Sequence, residues 1–461
     1  MIDLQSILGN VQSLHPSQVF DIAKIVEAVN QIPGALQAST RKVAQFGDSN
    51  TSAMFNIGGT TIETQAHGFG SYIEPLSLGR AVVVWNVASG GQEIIPDSGQ
   101  VNSLGVQIER FLASPAAGQT TDVTVVLGTN DVDQAPSVVM AAYRPLLQRL
   151  SRYKVHLGTV FPSAGATNTQ ATYEAGTLRW QWILRFNALL RQFALDNPSW
   201  VSLVDTYAVG VDPTSATGAA ATNMLYDTAL HSSNLYAQRV GQAFVNSICA
   251  GMPEAYPWLT SAADLSSLAA SASEKPTNVF PNGLFTASGA TGAAGAVAAG
   301  TTATGQIITA SGAATVTPSI VANPNGFGSC QQLTLSMVNQ NDFVRGTSSA
   351  DFKSQVAPGD EIFSRMFIRI PANSGICAPR FTQTLIVDGI TYSRTCLANV
   401  MANAMANLDA CDMLLTTPSV VVPAGASFTV LSQQLTLFGV GAGTPNSNVL
   451  YGQVELRKII R

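Results

Sequence analysis

The sequence is short of charge. Of its 461 residues only 11% are Asp, Glu, Lys or Arg, against a usual share of about 25%. The surface must therefore be covered by Ser, Thr, Asn, Gln and small residues. A net charge of -5 without any basic run excludes a nucleic-acid partner from expectation. Two explanations of the low charge stay open: a Gly/Ala-rich coding bias, or a particle or extracellular protein that faces sugars. Cysteine is scarce as well. Cys249, Cys330, Cys377, Cys396 and Cys411 form an odd set without CxxC spacing, which argues against a zinc site or a disulfide framework. Buried thiols are expected, with a Cys377–Cys396 bridge left open. No apolar run approaches the ~18 residues that would span a bilayer, and the opening "MIDLQSILGN" lacks the basic residues of a secretory signal.

What is there begins with a 46% hydrophobic share, enough for a sizeable core in two or three domains. Residues 1–40 are expected to be a helical segment. Pro16 suits a first turn, and Ile22, Ile25, Val26 and Val29 repeat with helical spacing. From 41 to 255 strand and helix alternate. "KVAQF" (42–46), "AVVVWNV" (81–87), "VTVVL" (123–127), "VHLGTVF" (155–161) and "VSLV" (201–204) are mostly apolar on both faces, as buried parallel strands are. Helices are expected over 138–153, 178–195 and 232–248. In the last, Tyr236, Val240, Phe244 and Ile248 share a face, and Ser232 or Ser233 is placed to cap. The pattern predicts a doubly wound α/β domain. Residues 256–277 read as a linker across which few contacts pass, so that the first domain would fold alone. Residues 278–461 show short alternating runs between turn residues, such as "EIFSRMFIRI" and "GQVELRKII", which predict an antiparallel β-sandwich, jelly-roll-like. The Gly-rich run at 286–305 lacks the Lys-Ser/Thr end of a phosphate loop and reads as a loop.

Four pieces of the first domain carry chemistry: "FGDSN" after the first strand, "NVASGG" after the second, "LGTND" after the third and "YDTALHSS" before the last helix. A doubly wound sheet brings such pieces to one edge, at the carboxyl ends of its strands. A serine nucleophile needs a base, the base needs an acid, and the oxyanion needs preorganised donors. Ser49, His231, Asp227, Gly90 and Asn130 supply that set. A second "DSG" at 97–99 follows a proline and no strand, and is set aside. There is no GxSxG, which argues against an α/β-hydrolase. Without HExxH or a close His/Asp cluster a metal-dependent deacetylase is disfavoured, and neither cofactor nor metal is expected. His156, inside a strand, is expected to be a packed, hydrogen-bonded core group. His67 is expected to be an ordinary loop residue, with a place at the site mouth as the alternative. His15 is expected to be structural. Asp48 and Asp131 are expected to shape their loops.

These pieces resemble the blocks of the SGNH hydrolases, the GDSL esterase/lipase superfamily, over residues 41 to 252. Gly47-Asp48-Ser49 matches the first block, Gly90 the second, Gly128-Thr129-Asn130-Asp131 the third, and His231 the closing histidine. The resemblance implies a flavodoxin-like, five-stranded parallel sheet and attack of Ser49 on an ester carbonyl with His231 as base. It implies an oxyanion hole of the Ser49 and Gly90 N–H groups and the Asn130 side chain. In one respect the chain departs from the family. The last block is usually Asp-x-x-His, whereas here it is Asp227-x-x-x-His231, with Thr228 at the expected place. Asp227 is favoured as the acid because it shares a loop with His231; Asp205, after the fifth strand, is the other candidate.

The second domain resembles modules of phage tail and tail-fibre proteins and carbohydrate-binding sandwiches. All five Trp precede residue 259, which leaves Tyr392 and Tyr451 as its aromatic platforms. The expected function is a serine esterase that removes O-acyl groups, O-acetyl above all, from a polysaccharide, extracellular or virion-associated on a phage tail. A lipase or arylesterase on small or lipid esters, and a non-catalytic receptor-binding protein, are the alternatives. The expected partner is the acylated polysaccharide or another ester, with homo-oligomerisation left open.

Overall fold

The computed structural model describes residues 40–51, 54–57, 59–96, 103–163, 178–226, 230–253, 282–286, 288–290, 292–294, 297, 299–326, 328–348, 356–398, 406–423, 428–440 and 447–459. The helix expected before residue 40, His15, the 97–99 copy, Asp227 and the linker 256–277 lie outside them.

The first strand, β1 (Arg41–Gly47), is followed by a hairpin of β2 (Met54–Ile57) and β3 (Thr61–Gln65). Then come β4 (Ala81–Asn86), β5 (Asp122–Val126), β6 (Lys154–Gly158) and β7 (Val201–Val204). β1 and β4 to β7 form one sheet in the order β4-β1-β5-β6-β7, parallel throughout. This is the flavodoxin-like order. Its switch point, between β1 and β5, opens a crevice at their carboxyl ends. Successive side chains alternate across a strand. Val43 and Val126 therefore face one apolar cluster, while Ala44, Phe46, Val123 and Val125 face another. The first cluster is completed by α1 (Gly70–Ser77), with Tyr72, Ile73 and Leu76. On the other face lie α2 (Leu104–Leu112), α3 (Pro136–Gln148) and α4 (Arg179–Asp196), with Phe111, Val139 and Phe186. The short α5 (Thr206–Gly210) follows β7, and α6 (Asn234–Ile248) returns to the α1 face. Ser233 caps α6, its side chain accepting from the Tyr236 N–H at 3.2 Å. Tyr236, Val240, Phe244 and Ile248 are buried together, as their spacing requires.

The remainder is mainly antiparallel β-structure in two main sheets. Its strands are β8 (Ser288–Ala290), β9 (Gly292–Ala294), β10 (Thr301–Ala303), β11 (Gln306–Ser311), β12 (Thr315–Ala322), β13 (Ser329–Ser336), β14 (Gln340–Ser348), β15 (Glu361–Ile370), β16 (Ile376–Val387), β17 (Ile390–Ala398), β18 (Cys411–Thr416), β19 (Val420–Val421), β20 (Phe428–Val440) and β21 (Ser447–Ile459). One sheet runs β2-β3-β17-β16-β20-β14-β11-β9, the other β12-β13-β21-β15-β18, with β19 on β15 and a small β10-β8 pair beside them. Asp388 and Gly389, at φ 49° and 78°, make the two-residue turn between β16 and β17, the turn type for which Asp-Gly is suited. The Gly-rich run read as a loop contains β8, β9 and β10 instead. β8 and β10 pair with each other, and β9 adds in parallel to the edge of β11. All five cysteines are free thiols, so Cys377 and Cys396 are not bridged.

The expectation of few contacts between the domains fails. The hairpin that follows Ser49 belongs to the larger sheet of the sandwich. β3 pairs in parallel with β17, Thr61 opposite Ser393 and Gln65 opposite Ala398. The Leu397 N–H donates to Thr64 Oγ1 at 3.0 Å, and the Arg394 guanidinium to Thr60 O at 2.6 Å. From α6, Gln238 exchanges two hydrogen bonds with the Asp409 backbone, at 3.1 and 2.9 Å, and Arg239 holds the Asp409 carboxylate at 2.7 and 3.1 Å. One apolar cluster runs unbroken from Tyr72, Ile73 and Phe244 to Cys377, Cys396 and Met413. A cut near residue 275 would leave β3 an open edge and the outer side of α1 bare. We expect that truncation to give insoluble or unfolded protein by circular dichroism, and co-expressed residues 278–461 to restore solubility. A soluble, cooperatively melting 1–275 fragment would contradict this.

Candidate active site

The turn after β1 is shaped by a missing side chain. A Cβ on Gly47 would stand 1.9 Å from Thr51 Oγ1, so only glycine lets the chain double back there. Gln107, on α2, receives the Gly47 N–H at 3.1 Å and donates to Gly47 O at 2.9 Å. Asp48 points inward, and its Oδ1 accepts the Asn50 N–H at 2.9 Å. Ser49 is left half-buried at the lip. Asn50 ties this turn to the loop before α6: its Oδ1 accepts the Ser232 N–H at 3.0 Å, and its Nδ2 donates to Leu230 O at 3.3 Å. The residue between those two anchors is His231. Its Nε2 lies 3.0 Å from Ser49 Oγ across 182 positions of sequence. The Tyr226 ring stacks on the His231 imidazole, with centroids 5.5 Å apart and planes at 20°.

The loop after β4 joins the same edge. The Ser89 N–H reaches Gly47 O at 3.4 Å, and the next residue, Gly90, is exposed beside the crevice. The loop after β5 brings Asn130, whose Nδ2 donates to Gln92 O at 2.9 Å. An amide nitrogen carries two hydrogens, so that bond fixes the side chain and leaves a second donor. Asp131 is buried beneath, accepting the N–H groups of Ile94 and Ile95 at 2.9 Å each. Burial pushes its carboxyl up to about 7 against those two hydrogen bonds, with Glu93 and Asp133 adding to the rise. Asp48 is likewise raised by burial, to about 6, with the Asn50 N–H and then His231 opposing. Both behave as the loop-shaping residues expected.

The two acid candidates fare differently. Asp227 lies outside the described residues. Asp205 is occupied elsewhere: its Oδ1 accepts from Thr159 Oγ1 at 3.0 Å and the Ala208 N–H at 3.1 Å, and its Oδ2 from Arg191 Nη2 at 2.8 Å. His156 is the packed core group expected, between Asp122 at 2.9 Å and Ser247 at 2.7 Å. That Asp-His-Ser chain braces α6 against β5 and β6, with Asp122 at the amino end of β5, opposite the edge that holds Ser49.

Three contributors were not foreseen. Gln107 clamps Gly47, and Tyr226 covers the His231 ring. Arg179, 2% exposed, donates to Thr129 O at 2.6 Å and lies within electrostatic reach of Asp48. A signal for Arg179 existed: it is the first residue of α4, where the helix dipole disfavours a cation. A positive charge kept there serves another group, here the Thr129 carbonyl and Asp48.

A parallel sheet with serine, histidine and amide donors gathered at its switch point defines a serine hydrolase of the flavodoxin-like class. Residues 43–205 match the family model described as GDSL-like Lipase/Acylhydrolase, and the α/β domain is a serine ester hydrolase. Comparison with curated protein sequences returns no match. Among solved structures, a putative arylesterase from Agrobacterium tumefaciens str. C58 is 18% identical, covering 45% of this chain and 98% of its own, with a TM-score of 0.32. A carbohydrate acetylesterase from Sinorhizobium meliloti is 15% identical, covering 46% and 99%, with a TM-score of 0.33. The aryl esterase of M. smegmatis is 17% identical, covering 45% and 98%, with a TM-score of 0.33.

The raised carboxyl of Asp131 sets a pH dependence. A folded-state value of about 7, above the ordinary 3.8, means that the native state binds more protons than the unfolded chain between those limits. Its contribution to stability is full below the lower value and is lost as pH rises through the upper one. Asp131→Asn removes this loss. The melting temperature of the variant relative to the wild type is expected to rise between pH 5 and pH 8. A constant difference across that range would show that Asp131 does not titrate there.

Proposed function

We propose that Ser49, His231 and Asp227 act as a catalytic triad on O-acetyl esters of a polysaccharide, in a protein carried on a phage tail or otherwise outside the cell. The observation that carries the chemistry is the 3.0 Å approach of His231 Nε2 to Ser49 Oγ beside the half-free amide of Asn130. Ser49 Oγ bonds to the carbonyl carbon while its proton passes to His231. The negative oxygen is met by the Ser49 and Gly90 N–H groups and by Asn130. The C–O bond to the alcohol breaks, and His231 returns the proton to the leaving oxygen. A water molecule then repeats the sequence on the acyl-serine, releasing the acid and restoring Ser49. Low surface charge and a sandwich built into the Ser49 connection support a neutral, extended substrate such as a glycan.

The test is acetate release from an acetylated polysaccharide, set against p-nitrophenyl esters of rising chain length. Acetate release is expected, with rates falling as the acyl chain lengthens; rates that climb with chain length would favour a lipase. Ser49→Ala is expected to lower turnover by about 10⁶, and an organophosphonate to label Ser49 and leave Ser247 untouched. Full activity in the variant would end the assignment.

The acid is tested separately. Asp227→Asn should reduce turnover by up to about 10⁴ through the wrong imidazole tautomer. Asp205→Asn should instead lower the melting temperature, because Arg191 loses its partner, with turnover little changed. The reverse pattern would move the acid to Asp205.

A further inference from the structure

The turn Ala66-His67-Gly68-Phe69 joins β3 to α1, and three parts of the molecule hold its backbone. The Ala66 N–H donates to Ala398 O of the sandwich at 2.9 Å, Ser232 Oγ donates to His67 O at 2.6 Å, and the Phe69 N–H donates to Asn50 O at 3.1 Å. His67 thus sits where the sandwich, the Ser49 turn and the His231 loop meet. Its ring stands edge-on to Tyr226, with centroids 5.7 Å apart and planes at 75°. Since Tyr226 stacks on His231, three rings follow in contact: His231, Tyr226, His67.

The residue is 9% exposed. Burial, then the nearby His231, push its imidazole down to about 4, so the ring is neutral at working pH. Nδ1 is buried without a hydrogen-bond partner, and of the two ring nitrogens it alone is sealed in this way. An orphaned buried donor is rarer and costlier than an orphaned lone pair. The proton therefore belongs on Nε2, and the ring offers one uncharged N–H donor in a fixed orientation.

We propose that His67 is a substrate-binding residue that recognises the alcohol half of the ester, donating from Nε2 to a hydroxyl, ring or glycosidic oxygen near the scissile C–O bond. His231 must hand its proton to the leaving alcohol, so that alcohol lies against His231. The rings that continue from His231 are Tyr226 and then His67. Tyr226 gives an apolar face for the C–H groups of a pyranose, and His67 gives the polar contact beyond it. An alkyl alcohol would leave that donor unpaired, which makes the device selective for polyol esters. The sandwich enters substrate recognition by this route, because β17 and Ala398 place the turn that carries His67.

This inference rests on the sugar-ester reading, and one experiment separates the two. The probes are glucose penta-acetate and phenyl acetate, whose phenol has no second oxygen. Wild-type protein should cleave both. In His67→Phe, which keeps the ring packing on Tyr226 and removes the donor, the ratio of kcat/KM for the sugar ester over phenyl acetate should fall about fivefold to tenfold, through KM. His67→Gln, which retains an N–H donor, should recover part of the ratio. An unchanged ratio in His67→Phe overturns the role of His67 while leaving the esterase reading intact, as does an equal loss on both esters with a lowered melting temperature. Wild-type protein inactive on the sugar ester and active on phenyl acetate overturns the sugar-ester reading, and the polyol role of His67 with it.

Discussion

Gly47 cannot carry a side chain, and the site depends on that. Thr51 occupies the space a Cβ would need, so the chain can turn back on itself within four residues. The turn presents Ser49 to the crevice, buries Asp48 and frees Asn50 to bind the loop that carries His231. Gln107 holds both backbone groups of Gly47 from the neighbouring helix. Ser49 thus meets His231 through backbone geometry and the side chain of Asn50, before any direct attraction between the two. A substitution at Gly47 would displace Ser49, His231 and the Ser89 N–H together.

Beneath the crevice the protein keeps charge in unusual places. Asp48 and Asp131 are carboxyls raised by burial, and Arg179 is a guanidinium lowered to about 10 by the same cause. Buried polar groups persist when hydrogen bonds satisfy them. Here the bonds run to loop backbone: Asp48 to Asn50, Asp131 to Ile94 and Ile95, Arg179 to Thr129. Each group fixes one of the loops that meet at the switch point. The stability given up by burying them appears as loop order around Ser49 and Asn130.

The two domains are separate in sequence and joined in space. The β2–β3 hairpin leaves the Ser49 turn, adds two strands to the sandwich and returns through His67 to α1. Burial holds the Tyr72 hydroxyl on α1 well above its ordinary range, and Cys411, Cys377 and Cys396 of the sandwich add to the rise. A loop anchored in a second domain has fewer ways to relax, which suits a site in which Ser49 and His231 stand within hydrogen-bond distance.

Much of this was legible in the residues. Five apolar runs became the five parallel strands, their ends displaced by at most three residues, because buried strands need side chains that are apolar on both faces. The gathering of Ser49, Gly90, Asn130 and His231 at one sheet edge was legible because local chemistry marks the four as candidates: a glycine turn after a strand, a glycine-rich turn, an amide at a strand end, a histidine before a capped helix. "NIGGTTI" carried a hairpin signal in its paired glycines, yet no local pattern could say which sheet the hairpin would join. Pairing partners far apart in sequence are chosen by edges and packing, so the union of β3 with β17 was decided only in the folded chain. The same holds for His67. As a sequence it is a lone histidine in a loop; its neutral state, sealed Nδ1 and edge-on contact with the Tyr226 ring arise only when three distant segments close around it.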